Sequence, residues 1–170
     1  MFNHSDVPAA TNYFLKPGYI YLPRTPTVVS TVLGSCVAVI LWDRKRRSGG
    51  INHFQLPSCK NAEKPTARYG DASTLMLIRM MVQEGSNLKC LEAQLFGGAY
   101  NRRISSKDVG RENVRMARST LARHGIRVVS EDVGGELGRK IIFDAVENEV
   151  AVLRVERLRT GDWHPYQDER

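Results

Sequence analysis

A chain of 170 residues, 42% of them hydrophobic, can bury one sizeable core, so a single domain is expected. It has no apolar run as long as a membrane-spanning helix, and its first residues lack the basic-then-apolar order of a secretory signal; a cytoplasmic protein without membrane insertion is expected. The formal charge of +7 leaves a solvated basic surface or an acidic partner, and because the arginines are not interleaved with aromatic side chains, nucleic acid is not an expected ligand.

Residues 1–12 show no periodicity and are expected to form a loose tail. Pro17-Gly18 marks a turn, 19–22 reads as a short strand, and the β-branched run 28–32 reads as another. In the stretch 36–42, Cys36, Ala38, Ile40 and Trp42 share one face and Val37, Val39 and Leu41 the other. Both faces are apolar, which predicts a strand covered on both sides, or on one side plus an interface. The span 43–50, with Arg44-Lys45-Arg46-Arg47 at its tip, reads as a hairpin loop, and 51–56 as the return strand closed by Pro57. Residues 58–66 are a polar loop. Three-and-four spacing of Tyr69, Ala72, Leu75, Met76 and Met80 predicts a helix from 68 or 69 to 84, stopped by Gly85. A strand at 88–96 ends at Gly97-Gly98. Ser106 is the expected cap of a second helix, from 107 or 108 to 123. Strands at 126–129, 140–143 and 149–154 follow, and 158–170 is a charged tail that Trp163 could dock. Two helices among some eight strands predict a layered α/β or α+β domain.

The three cysteines, Cys36, Cys59 and Cys90, are odd in number and lack metal-ligand spacing, so neither a disulfide framework nor a metal or other cofactor is expected. Cys36 and His53 stand seventeen positions apart on two strands that a hairpin would bring side by side. A thiol attacks an amide only when activated; a neighbouring imidazolium would lower its pKa and return a proton to the departing amine. From the residues alone the commoner reading is a buried small cysteine and a hydrogen-bonded strand histidine. Backbone N–H groups around Gly34, Ser35 and Cys36 are natural donors to an oxyanion.

The motif order is more specific. LGSCVAV around Cys36, then GGINHFQLP around His53, FGGA at 96–99, VGRENV at 109–114 and EDVGGELGRKIIFD at 131–144 together resemble the CheD family of chemoreceptor glutamine deamidases, over roughly 19–153. The resemblance implies a single deamidase domain at 13–157 flanked by tails at 1–12 and 158–170. It implies an α/β layered sandwich similar to the cysteine-hydrolase domain of glutamine-deamidating toxins. It also implies a protein-glutamine glutaminase that forms a thioester on Cys36, with His53 as general base. Its substrates would be methyl-accepting chemotaxis receptors, with receptor glutamyl methylesterase activity and a CheC-type phosphatase as candidate additions. A non-catalytic binding module for a chemotaxis partner is the alternative.

The family's third member is a hydroxyl residue, usually threonine. Here Ser30 and Thr31 stand side by side; register favours Ser30 and residue type favours Thr31, and Ser30 is preferred. Asn52, Gly97, Gly98, Arg111 and Asn113 are candidates for a substrate groove; the other reading is a supporting role for Asn52, tight packing beside the site for Gly97 and Gly98, and capping or solvating the second helix for Arg111 and Asn113, which is the commoner case.

Overall fold

A computed structural model describes residues 9–60 and 64–163. In chain order the elements are β1 (Thr11–Phe14), β2 (Tyr19–Tyr21), β3 (Thr27–Leu33), β4 (Val37–Asp43), β5 (Ser48–His53), α1 (Gly70–Gln83), β6 (Leu91–Gly97), α2 (Val109–Arg123), β7 (Arg127–Val133), β8 (Gly138–Asp144), β9 (Glu149–Val155) and α3 (Thr160–Trp163). The expected tail through residue 12 therefore ends earlier, since Thr11 and Asn12 pair in parallel with Thr27 and Val28. Residues 1–8 and 164–170, with His4 and His164, lie outside the described residues.

Both faces of β4 are covered, as its two apolar stripes require. It sits at the centre of a five-stranded sheet ordered β2-β5-β4-β6-β7, and each of its residues is buried. Val37, Val39 and Leu41 pack with Leu77, Ile78 and Met81 of α1 and Val114, Ala117 and Leu121 of α2. Ala38 and Ile40, on the opposite face, pack with Val29, Leu33, Ile141 and Phe143 of a four-stranded sheet ordered β1-β3-β8-β9. The result is three layers, helices on sheet on sheet, held by two apolar cores in which each large side chain contributes about 1.5–3 kcal/mol.

The sequence expectations fail where local polar groups decide. Asp108, not Ser106, caps α2, its side chain accepting from the Arg111 N–H at 2.9 Å. Leu88–Cys90 is a 3-10 turn capped by the Asn87 side chain, so the strand expected from 88 begins at Leu91. Gly110 sits in the first turn of α2 because a Cβ there would meet the carbonyls of Gly98 and Ala99 at 2.5 Å. The two sheets are joined where Arg139 of β8, 2% exposed, donates to Asp132 of β7 at 2.9 Å and to Leu137 O at 2.9 Å.

Candidate active site

The β4–β5 ladder pairs Ile40 with Ile51 and ends at Val37 and Phe54, which exchange backbone hydrogen bonds of 3.1 and 3.0 Å. In that register Ala38 faces His53, and Cys36 is the diagonal neighbour of His53. Directly opposed and diagonal residues of an antiparallel pair share a face, with Cα atoms about 7–8 Å apart on the diagonal. Cys36 and His53 therefore both face the four-stranded sheet.

Thr31 of β3 meets His53 from that sheet, its Oγ1 lying 2.8 Å from His53 Nδ1. The same hydroxyl donates to Leu15 O at 2.7 Å. A carbonyl only accepts, so the one hydroxyl proton goes to Leu15 and Nδ1–H must donate to Thr31. This fixes the tautomer and leaves the lone pair on Nε2. Nε2 is buried and without a hydrogen-bond partner among the described residues, so the sulfur and the ring are not bonded in this conformation.

Ser30 does not share this position. It is half-buried on the other side of β3, where alternation puts every second residue, and the preference for it is corrected. Thr31 points inward with Val29 and is 1% exposed.

Burial drives both candidate reactive groups toward their neutral forms. Burial pushes the Cys36 thiol up to about 11, with its own backbone N–H pulling the other way. Burial pushes the His53 imidazole down to about 4, against the opposing pull of the Leu15 backbone carbonyl, which accepts from the ring. The expected imidazolium beside a lowered thiol is therefore not the resting arrangement, because an ion pair would be desolvated between the two sheets. From such a neutral pair the thiol proton must leave as the sulfur attacks, and at about 4 the buried imidazole is a weak base for it.

The turn at Cys36 is held from β6. Gly98 N–H donates to Cys36 O at 2.8 Å and Ala99 N–H to Gly34 O at 2.9 Å. Gly97 has φ of +106°, and a Cβ on it would collide with Cys36 O, so close backbone approach requires glycine there. Gly34 and Ser35 line a cavity of about 420 Å³ together with Tyr100, Ile104 and Leu158. Gly98 and Arg111 line a second cavity of about 670 Å³ with Arg115 and Arg118.

Two groove candidates are corrected. Asn52 is fully buried on the helix side of its sheet, where Oδ1 accepts from Val39 N–H at 2.8 Å. Asn113 is also fully buried, and its Nδ2 donates to Ser35 O and Gln55 O, each at 2.9 Å. Neither can touch a substrate. His124 Nδ1 lies 2.8 Å from Thr120 O at the end of α2, a structural bond. Among the described residues no group of three or more His, Cys, Asp and Glu side chains could hold a metal ion.

Sequence reasoning missed the Leu15 carbonyl, which selects the tautomer; a backbone acceptor leaves no compositional signal. It also left Trp163 without a target. The Trp163 ring stands 6.4 Å from the His53 ring, tilted by 41°.

Fold and site together define a layered mixed α/β protein with a cysteine and a histidine on one inner sheet face and a threonine behind the histidine. Residues 55–154 match the family model described as CheD chemotactic sensory transduction. That segment begins beyond His53, so it does not bear on the cysteine–histidine pair. Curated relatives described as "probable chemoreceptor glutamine deamidase CheD" cover more. One from Methanococcus maripaludis (strain C6) is 36% identical over 149 residues, 86% of this chain and 97% of the relative. One from Trichlorobacter lovleyi is 38% identical over 144 residues, 84% and 89% of the two chains. A "CheD 2" from Geobacter sulfurreducens is 38% identical over 152 residues, 88% and 94%. The chain belongs to the CheD family.

Proposed function

We propose that the protein hydrolyses the side-chain amide of specific glutamines on methyl-accepting chemotaxis receptors, with Cys36 as nucleophile and His53 as its base. The observation that supports this is the Thr31–His53 bond, in which Nδ1–H donates and the Nε2 lone pair is left free on the face that Cys36 shares. The family's chemotactic association and the relatives' description as glutamine deamidases supply the substrate class.

In the proposed sequence the Cys36 sulfur bonds to the amide carbon as its proton passes to Nε2. Backbone N–H groups of the Gly34–Ser35–Cys36 turn receive the oxyanion. The carbon–nitrogen bond then breaks, the nitrogen takes the proton from His53, and ammonia leaves a thioester. Water gives a proton to His53 and its oxygen to the carbon, releasing glutamate and restoring the thiol. Receptor glutamyl methyl esters would follow the same path with methanol leaving. The similarity to toxin deamidase domains, the cytoplasmic location and a CheC-type partner belong to this proposal. Among the described residues no helix is long and apolar enough to cross a membrane.

The test is incubation with a receptor cytoplasmic fragment and mass spectrometry of its peptides. Each converted glutamine gains about one dalton, and Cys36→Ala and His53→Ala abolish the gain. The burial of both groups favours one rival, a regulatory binding module whose cysteine is unused. Conversion absent from the wild type, with the fragment still bound, selects that rival.

A further inference from the structure

We propose that Asn113 is a positioning residue that locks the nucleophile turn to the histidine strand. The β4–β5 ladder stops at Val37 and Phe54. One step beyond, Cys36 faces Gln55 and no ladder bond continues. Asn113 Nδ2 supplies the missing cross-link, donating to Ser35 O and Gln55 O at 2.9 Å each. Both partners are carbonyls, so the donor must be the amide nitrogen and its two hydrogens are both used. One buried side chain thus ties the residue before Cys36 to the residue two beyond His53.

The anchor is itself held at the start of α2. Asp108 caps the helix one turn earlier, and Gly110 lets that turn rest on the Gly98 and Ala99 carbonyls. Asn113 Oδ1 is buried without a partner among the described residues. An unpaired buried acceptor lowers stability, so the amide is retained for the two bonds its nitrogen makes, not for overall economy of hydrogen bonding. Being fully buried, Asn113 acts on the reaction only through the geometry of Cys36 and His53.

The proposal rests on the deamidase reading for its kinetic arm, and has a second arm that does not. Asn113→Asp and Asn113→Ser are compared with the wild type. Deamidation of a receptor fragment is expected to lose at least tenfold in kcat with KM within about twofold. Alkylation of Cys36 by iodoacetamide is expected to rise at least threefold at neutral pH, as the freed turn exposes the sulfur. Cys90, equally buried elsewhere, is the internal control and stays unchanged. A loss confined to KM, an unchanged Cys36 alkylation rate, or an equal rise at Cys90 would overturn the clamp. If the wild type shows no deamidation, the alkylation comparison still decides.

A different set of contacts carries a second inference: the geometry points to residues 158–163 as a strap that must lift before a protein glutamine reaches Cys36. Leu158 lies against Gly138, where an added methyl would meet its side chain at 3.2 Å. Asp162 Oδ1 pairs with Lys140 Nζ at 2.6 Å, and the Trp163 ring lies 6.4 Å from the His53 ring. Leu158 also borders the cavity lined by Gly34 and Ser35, next to Cys36, which is 9% exposed, while His53 is fully buried. The Lys140 side chain is 39% exposed, so this latch is of the weak, salt-sensitive kind. Trp163→Ala and Asp162→Ala are expected to speed Cys36 alkylation about tenfold, and added salt to speed it in the wild type but not in Asp162→Ala. Unchanged alkylation in both variants, or salt acting equally on both, would overturn the strap.

Discussion

Thr31 and His53 meet across the two sheets at 2.8 Å, and the direction of that bond is set by a third group, the Leu15 carbonyl. Because Leu15 takes the hydroxyl proton, Thr31 can only accept from His53, and the imidazole is left with its lone pair on the outer nitrogen. Thr31→Val keeps the shape and removes the acceptor. It is expected to lower kcat for deamidation by about 100-fold, part of what a positioned general base supplies. Thr31→Ser should stay within about threefold of the wild type, and Ser30→Ala should be silent. Steady-state kinetics on a receptor fragment separate the three.

The buried neutral pair makes stability depend on pH from both sides. His53 is held at about 4, below its unfolded value of about 6.5, so the folded state resists protonation. Its stabilising contribution is complete above about pH 6.5 and is lost as pH falls toward 4, by roughly 3 kcal/mol. Cys36 is held at about 11, above its unfolded value of about 8.5. Its contribution is complete below about pH 8.5 and is lost as pH rises through 11. Thermal unfolding midpoints measured from pH 4 to 11 should flatten on the acid side in His53→Gln and on the alkaline side in Cys36→Ala. Carboxylates such as Asp132, where hydrogen bonds from Arg154 and Arg139 outweigh burial and hold the carboxyl low, titrate in both proteins alike. The difference between the curves isolates the histidine.

Gly97 carries a steric demand that substitution will expose. Alanine there is strained at φ of +106° and drives its methyl into Cys36 O. Gly97→Ala is expected to cost on the order of 3 kcal/mol, whereas Gly125→Ala, strained but with nothing within 4 Å, should cost less. Urea titration of the two variants measures the contrast.

The Asp132–Arg139 pair bridges the sheets with the arginine side chain 3% exposed. Asp132→Ala strands that buried guanidinium and is expected to cost about 3–5 kcal/mol. Glu131→Ala, which breaks only the exposed pair with Arg118, should cost less than about 1 kcal/mol. Calorimetry of both variants checks the order.

How much of this was legible in the sequence depended on how local the cause was. The two-faced β4, the hairpin that brings Cys36 and His53 onto one face, and both long helices follow from apolar periodicity, which acts within each element. The choice between Ser30 and Thr31 did not follow, because it depends on which face of β3 meets the other sheet, a pairing with β8 more than 100 residues away in the chain. Asn113 was open between a groove and a helix-surface role because an exposed and a buried asparagine look alike in sequence; its two carbonyl partners come from distant segments. The neutral charge state was hidden for the same reason, since burial is a property of the assembled layers.

The central claim is a covalent bond between Cys36 and a receptor glutamine carbon. Acid quenching of a single turnover, followed by intact-protein mass spectrometry, tests it most directly. The account predicts an adduct of the enzyme plus the receptor peptide less about 17 Da for the departed ammonia, mapped to Cys36 and absent in Cys36→Ala. Full conversion of glutamine to glutamate by the Cys36→Ala variant, with no adduct in the wild type, would contradict it.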